Sequence, residues 1–286
     1  MYQLSKRFPA KRAFITGAAS GFGKALCFEL AKDGWTLGMA DINVPLLETT
    51  ASEMEQAGAK VYLHPLDVAD KDAYQKVAET FLQQVGGIDL LFNNAGVAIG
   101  GDFEARPLDD WEWINSINFM GVVHGCHLFI PAMKKQGYGH IINTSSAASF
   151  GCLPQMAAYN ATKAAVLAIS ETLYSELHPY NIQVSAIMPT FFKTNIANNS
   201  RGDEITFETG QLMVDTSGIE AAWVAQRVLK AAGNKRLHIV LPRDAKALYW
   251  LKRHFPLLYI RIIRSLAGDR QRMLQYLRKK QQSMAR

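Results

Sequence analysis

The chain has 286 residues, of which 49% are hydrophobic and 20% charged, with a formal net charge of +6 at pH 7. This is enough apolar material for a large core and excludes a disordered or fibrous chain. Cys27, Cys126 and Cys152 lie too far apart for a redox or zinc motif, and the seven histidines form no close ligand cluster, so no metal is expected.

The N-terminus reaches glycine after a very short apolar run, so neither a signal peptide nor an anchor is expected there. "RAFIT" at 12–16 predicts the first strand, followed by a helix over 22–33. "TLGMA" at 36–40 is the second strand, with a helix entered at Pro45 and running to Gln56. "KVYLH" at 60–64 is the third, and the next helix runs from Asp70 to a stop at Gly86-Gly87. "IDLLFN" at 88–93 is the fourth, and helical material runs from Pro107 to Lys135. "HIINTS" at 140–145 is the fifth, with a helix over 154–178, and "IQVSAIM" at 182–188 is the sixth. A helix over 217–231 and "LHIVL" at 237–241 close the pattern. Strand–helix alternation predicts an α/β fold: a doubly wound, mostly parallel seven-stranded sheet flanked by helices, with ligands beyond the carboxyl ends of the strands. Residues 1–244 are expected to form the dinucleotide-binding catalytic domain, with a lid near 190–216, and residues 245–286 a basic helical extension.

"ITGAASGFGKAL" places Gly17, Ser20, Gly21, Phe22 and Gly23 between the first strand and its helix, where backbone N–H groups and the positive helix end can meet a pyrophosphate. The spacing TGxxxGxG departs from GxGxxG and lacks the Lys-Ser/Thr pair of a P-loop. Asp41 ends the second strand, where a carboxylate can accept from an adenosine ribose and repel a 2′-phosphate, favouring NAD(H) over NADP(H); it can equally cap the helix that follows. Asp67 and Val68 end the third unit, facing the adenine, and Asn94, Ala95 and Gly96 end the fourth, where small residues let the chain pass close to a cofactor.

"YNATK" at 159–163 sets a phenol and an ammonium one turn apart, an arrangement that by itself is a common surface pair. Its context adds Ser145 and Ser146 at the end of the fifth strand. Tyr159 is expected to begin an exposed turn of the following helix, with Lys163 favouring its phenolate and a serine hydroxyl steadying the substrate oxygen.

"TGAASGFG", "NNAG", the strand-end serines, "YNATK" and "IMPTFFKT", in that order, resemble the short-chain dehydrogenase/reductase family in its non-extended form, from about Lys11 to Leu241. The resemblance implies Tyr159 as acid/base, Lys163 as the group that lowers its pKa and binds the nicotinamide ribose, and Ser146, thirteen residues before the tyrosine, as the group orienting the reacting oxygen. It implies that the Asn118 backbone holds a water leading from Lys163 to solvent, and that Pro189 and Thr194 cover the nicotinamide. The family usually has glycine after that proline, where this chain has Thr190.

The expected activity is therefore NAD(H)-dependent interconversion of a secondary alcohol and its ketone. An NADPH-dependent carbonyl reductase and a non-catalytic nucleotide-binding regulator are the alternatives. Phe150, Leu153, Met156, Phe191, Phe192, Ile196, Ile205, Phe207, Leu212 and Met213 crowd the expected mouth, either as packing or as the walls of an apolar pocket. The family implies a homodimer or homotetramer; no nucleic-acid reader is recognisable.

The charge is uneven along the chain. Residues 245–286 hold eleven Lys or Arg against Asp269, a net of +10, leaving −4 for the rest. Pro256 should split "LYWLKRHFPLLYIRIIRSLAG" into two helices. The run is too short and too charged to span a bilayer, which leaves packing against protein or docking on an anionic membrane surface. A cytoplasmic chain, peripherally membrane-associated if the tail docks, is the expected location.

Overall fold

The computed structural model describes residues 3–194, 196, 200–267 and 270–284. After a short helix α1 (Gln3–Arg7) come β1 (Arg12–Thr16), α2 (Gly21–Ala31), β2 (Thr36–Asp41), α3 (Val44–Gln56), β3 (Lys60–Pro65), α4 (Lys71–Val85) and β4 (Leu90–Asn93). The middle of the chain forms β5 (Ala98–Ile99), α5 (Leu108–Asn115), α6 (Gly121–Gln136), β6 (Gly139–Thr144), α7 (Ala148–Gly151), α8 (Ala157–Glu176) and β7 (Ile182–Pro189). The last part forms β8 (Ser200–Arg201), α9 (Glu204–Asp215), α10 (Ala221–Gly233), β9 (His238–Leu241), α11 (Arg243–His254), α12 (Pro256–Ala267) and α13 (Arg270–Met284).

Seven strands pair in parallel in the order β3-β2-β1-β4-β6-β7-β9. The order reverses between β1 and β4, which opens a crevice at their carboxyl ends. Alternation along β1 divides the core. Ala13 and Ile15 join Leu26, Leu30, Val224 and Val228 on one face, and Phe14 joins Phe81, Phe129 and Val166 on the other. Helix ends follow local chemistry: the Asn43 side chain accepts from Leu46 N–H, Asp70 accepts from Asp72 and Ala73 N–H, and left-handed Gly86 stops α4.

Several expected boundaries move. β4 begins at Leu90, because Asp89 turns its carboxylate to the Arg12 N–H and guanidinium, each at 2.8 Å. α8 begins at Ala157 and not at Pro154, since Cys152 and Gln155 take left-handed backbone (φ 51° and 57°) that no helix can contain. The helix expected over 217–231 runs from Ala221 to Gly233. Leu108–Gln136 is continuous helix with a π turn at Ser116–Met120. By length and composition that run could cross a membrane, yet Ile114, Val122, Phe129 and Met133 are buried inside the fold. The two-stranded β5–β8 sheet and helix α9, within the segment expected as a lid, were not anticipated; α13 falls in the expected helical extension but makes a third helix there.

The C-terminal helices are ordinary helices packed on the rest. Ala245 of α11 lies against Phe150, Met188 and Val240. Tyr259 of α12 donates its hydroxyl to the Gly151 carbonyl at 3.2 Å. Leu274 and Leu277 of α13 pack on Leu212 of α9, where the Arg278 guanidinium grips both Glu208 oxygens at 2.8 Å.

Candidate active site

The glycine loop leaves β1 and closes against the end of β4. Gly17 has φ +65°, and a Cβ on Gly23 would sit 1.9 Å from the Gly17 carbonyl oxygen, so side chains are excluded where the loop meets α2. Thr16 holds the two strand ends together: its hydroxyl accepts from Asn94 N–H at 2.9 Å and Ala95 N–H at 3.0 Å. The Asn94 amide donates back to the Thr16 and Gly17 carbonyls at 3.0 and 3.3 Å. Sequence reasoning missed Thr16, although it is the residue before the first glycine. Ser20 is the N-cap of α2 with no side-chain capping bond. Phe22 is buried edge-on against Phe192, which leaves only its backbone to face a ligand.

Asp41 accepts from Ala19 N–H at 3.0 Å and from Asn43 N–H at 2.9 Å, so its carboxylate shapes the glycine loop as well as standing at the end of β2. Asp67 is exposed and accepts from Ala69 N–H at 2.9 Å, while Val68 is buried and packs at Gly121. The residues expected along the crevice thus lie at or just beyond the ends of β1 to β4, and the tightly packed loop at Gly17 and Gly23 presents backbone without side chains, which suits the close approach of a dinucleotide. The rigid backbone around it would hold the pyrophosphate at the positive end of α2.

Ser146 follows β6, and Tyr159 stands in the first turn of α8. The Ser146 hydroxyl accepts from Ala148 N–H at 3.1 Å and lies close enough to Tyr159 to favour its phenolate. Ser145, by contrast, is buried and donates to the Lys163 carbonyl at 2.7 Å, which uses it within the scaffold. Tyr159 is not on an exposed turn: only 9% of it is accessible, because it packs with Val97, Ile99 and Ile114. Burial pushes its phenol above the ordinary value, opposed by the neighbouring Ser146 hydroxyl.

Lys163 is buried as well, and burial pushes its ammonium down to about 8. Its Nζ donates to the Thr144 carbonyl at 2.9 Å and lies 5.7 Å from the Tyr159 ring centre. In this arrangement the ammonium donates to Thr144 beside the Tyr159 ring, and Ser146 is the neighbour that lowers the phenol. A Cβ on Gly96 would lie 3.3 Å from Lys163 Nζ and 3.1 Å from Asn118 Oδ1, so a side chain there would crowd the lysine.

Asn118 lies within the π turn, fully buried. Its amide clamps the Val97 backbone, accepting from N–H at 2.8 Å and donating to the carbonyl at 2.9 Å. The turn thus ties α5–α6 to the segment that follows Gly96. Pro189 accepts from Ala147 N–H at 2.8 Å, which joins β7 to the serine loop. Thr194 is half-buried and its hydroxyl accepts from Ile196 N–H at 3.5 Å.

The expected apolar mouth is only partly present. Met156 and Ile196 pack at Tyr159. Phe150 and Phe192 turn into the core, and Leu212 and Met213 pack with Leu274 and Leu277 of α13. Ile205 and Phe207 are exposed on α9. Among the described residues no cluster of His, Cys, Asp or Glu is arranged to hold a metal.

The family model described as short chain dehydrogenase matches residues 11–205. A putative oxidoreductase, SadH, of Mycobacterium tuberculosis is 32% identical over 265 residues, covering 90% of this chain and 95% of that protein. A 3-oxoacyl-[acyl-carrier-protein] reductase, FabG, of Thermotoga maritima is 36% identical over 188 residues, 66% of this chain and 76% of that one. The crystal structure of a short-chain dehydrogenase/reductase from Burkholderia phymatum in complex with NAD superposes with a TM-score of 0.82 at 33% identity, covering 87% of this chain and 94% of that one. A match over 90% of the chain necessarily runs past Leu241. The alignment with SadH therefore includes part of the C-terminal segment, while the family model itself ends at residue 205.

Proposed function

The chain belongs to the short-chain dehydrogenase family, and from that premise we propose that it is an NAD(H)-dependent oxidoreductase interconverting an apolar secondary alcohol and its ketone. The observation that carries the reading is the meeting of Ser146, Tyr159 and Lys163 beside the glycine cradle. The neighbour crystallised with NAD supports the cofactor, and so does Asp41, a carboxylate that would repel a 2′-phosphate. The apolar surroundings of Tyr159, with Met156 and Ile196, support an apolar substrate, as does a relative named for reducing an oxo group on an acyl chain.

Gly17, Ser20, Gly21, Phe22 and Gly23 would hold the pyrophosphate through backbone N–H groups, and Asp41 the adenosine ribose. Asp67 and Val68 would face the adenine, and Asn94, Ala95 and Gly96 would run beside the cofactor. Tyr159 and Lys163 would meet the nicotinamide ribose, and Pro189 and Thr194 the carboxamide. NAD(H), when bound, accepts or supplies the hydride.

Ser146 donates to the reacting oxygen and holds it next to the Tyr159 hydroxyl. In oxidation Tyr159 takes the alcohol proton; in reduction it returns a proton to the ketone oxygen. Lys163 and water on the Asn118 backbone would connect Tyr159 to solvent. A second copy would pack along the long central helices, where small side chains Ala161 and Ala165 line a groove of about 470 Å³ beside Trp111 and Phe119.

The test is purified protein with NAD⁺ or NADP⁺ and a panel of hydrophobic secondary alcohols, followed by the absorbance of the reduced cofactor. Turnover with NAD⁺ supports the proposal. Turnover with NADP⁺ alone points to a carbonyl reductase of the other cofactor class, and binding without turnover to a regulator.

A further inference from the structure

The outer face of α11 and α12 carries apolar side chains where a helix on a soluble protein carries polar ones. Trp250 is 54% exposed and Leu257 75%, and Phe255, Leu258 and Ile260 are exposed beside them. The Trp250 ring lies 4.7 Å from His254 and 5.8 Å from Phe255, so the aromatic part is one patch at the junction of the two helices. In α12, Leu257, Ile260, Arg261 and Arg264 recur at i, i+3, i+4 and i+7, which places them on one stripe. Tyr259, 2% exposed and bonded to Gly151, marks the opposite, inward side. A contiguous apolar surface of this kind on a charged protein marks an interaction site.

Charge selects the occupant. Residues 245–286 carry a net +10 while the rest of the chain carries −4, and Lys246, Arg253, Arg261 and Arg264 are exposed around the apolar patch. A two-fold contact with a second copy would set this cationic face against itself, which like-charge repulsion opposes. An anionic lipid surface meets both requirements, since apolar side chains enter the headgroup boundary while arginines reach phosphate from their aliphatic stems.

We propose that the outer face of α11 and α12 is a docking surface for an anionic lipid bilayer, with Trp250, Phe255, Leu257 and Ile260 inserted and Arg261 and Arg264 at the level of the phosphates. The surface adjoins the substrate side of the fold. Tyr259 is bonded to Gly151, five residues beyond Ser146, and α13 grips the lid helix α9. Docking therefore sets the pocket mouth near the lipid, a short path for an apolar substrate. That delivery step rests on the alcohol–ketone reading, and the docking does not.

Cosedimentation of the full chain with phosphatidylcholine vesicles, with and without phosphatidylglycerol, tests the docking in the absence of substrate and cofactor. Binding to the anionic vesicles should exceed binding to the neutral ones by at least about tenfold and weaken with salt. Leu257→Ser with Ile260→Ser should lower it by at least about tenfold, and Arg261→Gln with Arg264→Gln should lower the anionic preference by about tenfold. Both pairs replace exposed residues, and unchanged melting and elution would establish that they fold. A full chain that stays in the supernatant, equal binding to both vesicle types, or variants that bind as the wild type would overturn the proposal. So would a dimer that the serine pair converts to monomer without any vesicle binding, which would give the face to a second copy. Vesicle binding without alcohol turnover would leave the docking standing and remove the proposed activity.

Discussion

The two halves of the crevice are held by different forces. At the cofactor half, the ends of β1, β2 and β4 are stitched by half-buried bonds to backbone: Thr16 to Asn94 and Ala95, Asn94 to Thr16 and Gly17, Asp41 to Ala19. At the substrate half, the segment after β7 is held by short backbone pairings, β5 with β8 and Lys193 N–H with the Ile219 carbonyl, together with side chains nearer the surface. Arg201 pairs with Asp110 at 2.9 Å and stacks on Trp113, Lys193 pairs with Glu220, and α13 clasps α9. Exposed ion pairs contribute little each, whereas an orphaned buried N–H is costly, so the first half is expected to be the more rigid of the two. A firm cradle on one side and a more weakly held segment on the other would suit chemistry that is constant and substrates that differ.

The sharpest way to break this division is at the residue where the halves meet. Tyr159→Phe removes the exchangeable proton and leaves the apolar packing, so turnover should fall by at least about 100-fold while cofactor affinity changes little. Near-normal kcat in folded protein would reject the role. Within the rigid half, Thr16→Ala leaves two N–H groups without their acceptor, and a loss of about 1–3 kcal/mol in stability, with weaker cofactor binding, should appear in melting and titration. An unchanged Tm would show the stitching to be redundant.

Lys163 gives a pH signature. Its pKa is lowered to about 8, so the ammonium is charged below that pH and neutral above it. Replacing a charged donor by a neutral one should weaken cofactor binding by about fivefold as pH rises through 8, and Lys163→Met should flatten the profile. The smallest effect belongs to the lid. Leu274→Ala with Leu277→Ala loosens α13 on α9 and should raise KM for the substrate about threefold with kcat nearly constant. A fall in kcat with unchanged KM would place the clasp in the rigid half.

The rigid half was largely legible in the sequence because its determinants are local. Gly17 and Gly23 bracket one turn, Asp41 ends one strand, and the thirteen-residue interval from Ser146 to Tyr159 singles out the serine that neighbours the phenol, while Ser145 turns inward to the Lys163 carbonyl. What escaped depends on contacts between distant segments. The burial of Tyr159 needs Val97 and Ile114, and the clasp of α13 on α9 joins Arg278 to Glu208 across 70 residues. Phe150, Phe192 and Leu212 read as mouth residues because hydrophobicity alone does not say which way a side chain faces. Thr16 carried a signal, its place before the first glycine, that only the return of the fourth strand makes meaningful.

Transfer of a labelled hydride tests the central claim most directly. Purified protein is incubated with NAD⁺ and an apolar secondary alcohol carrying deuterium on the carbinol carbon, and the recovered cofactor is weighed by mass spectrometry. The account predicts one deuterium in the reduced cofactor with wild-type protein and almost none with Tyr159→Phe over the same time. Cofactor that binds but emerges unlabelled across the alcohol panel, or a Tyr159→Phe protein that transfers the label at the wild-type rate, would contradict it.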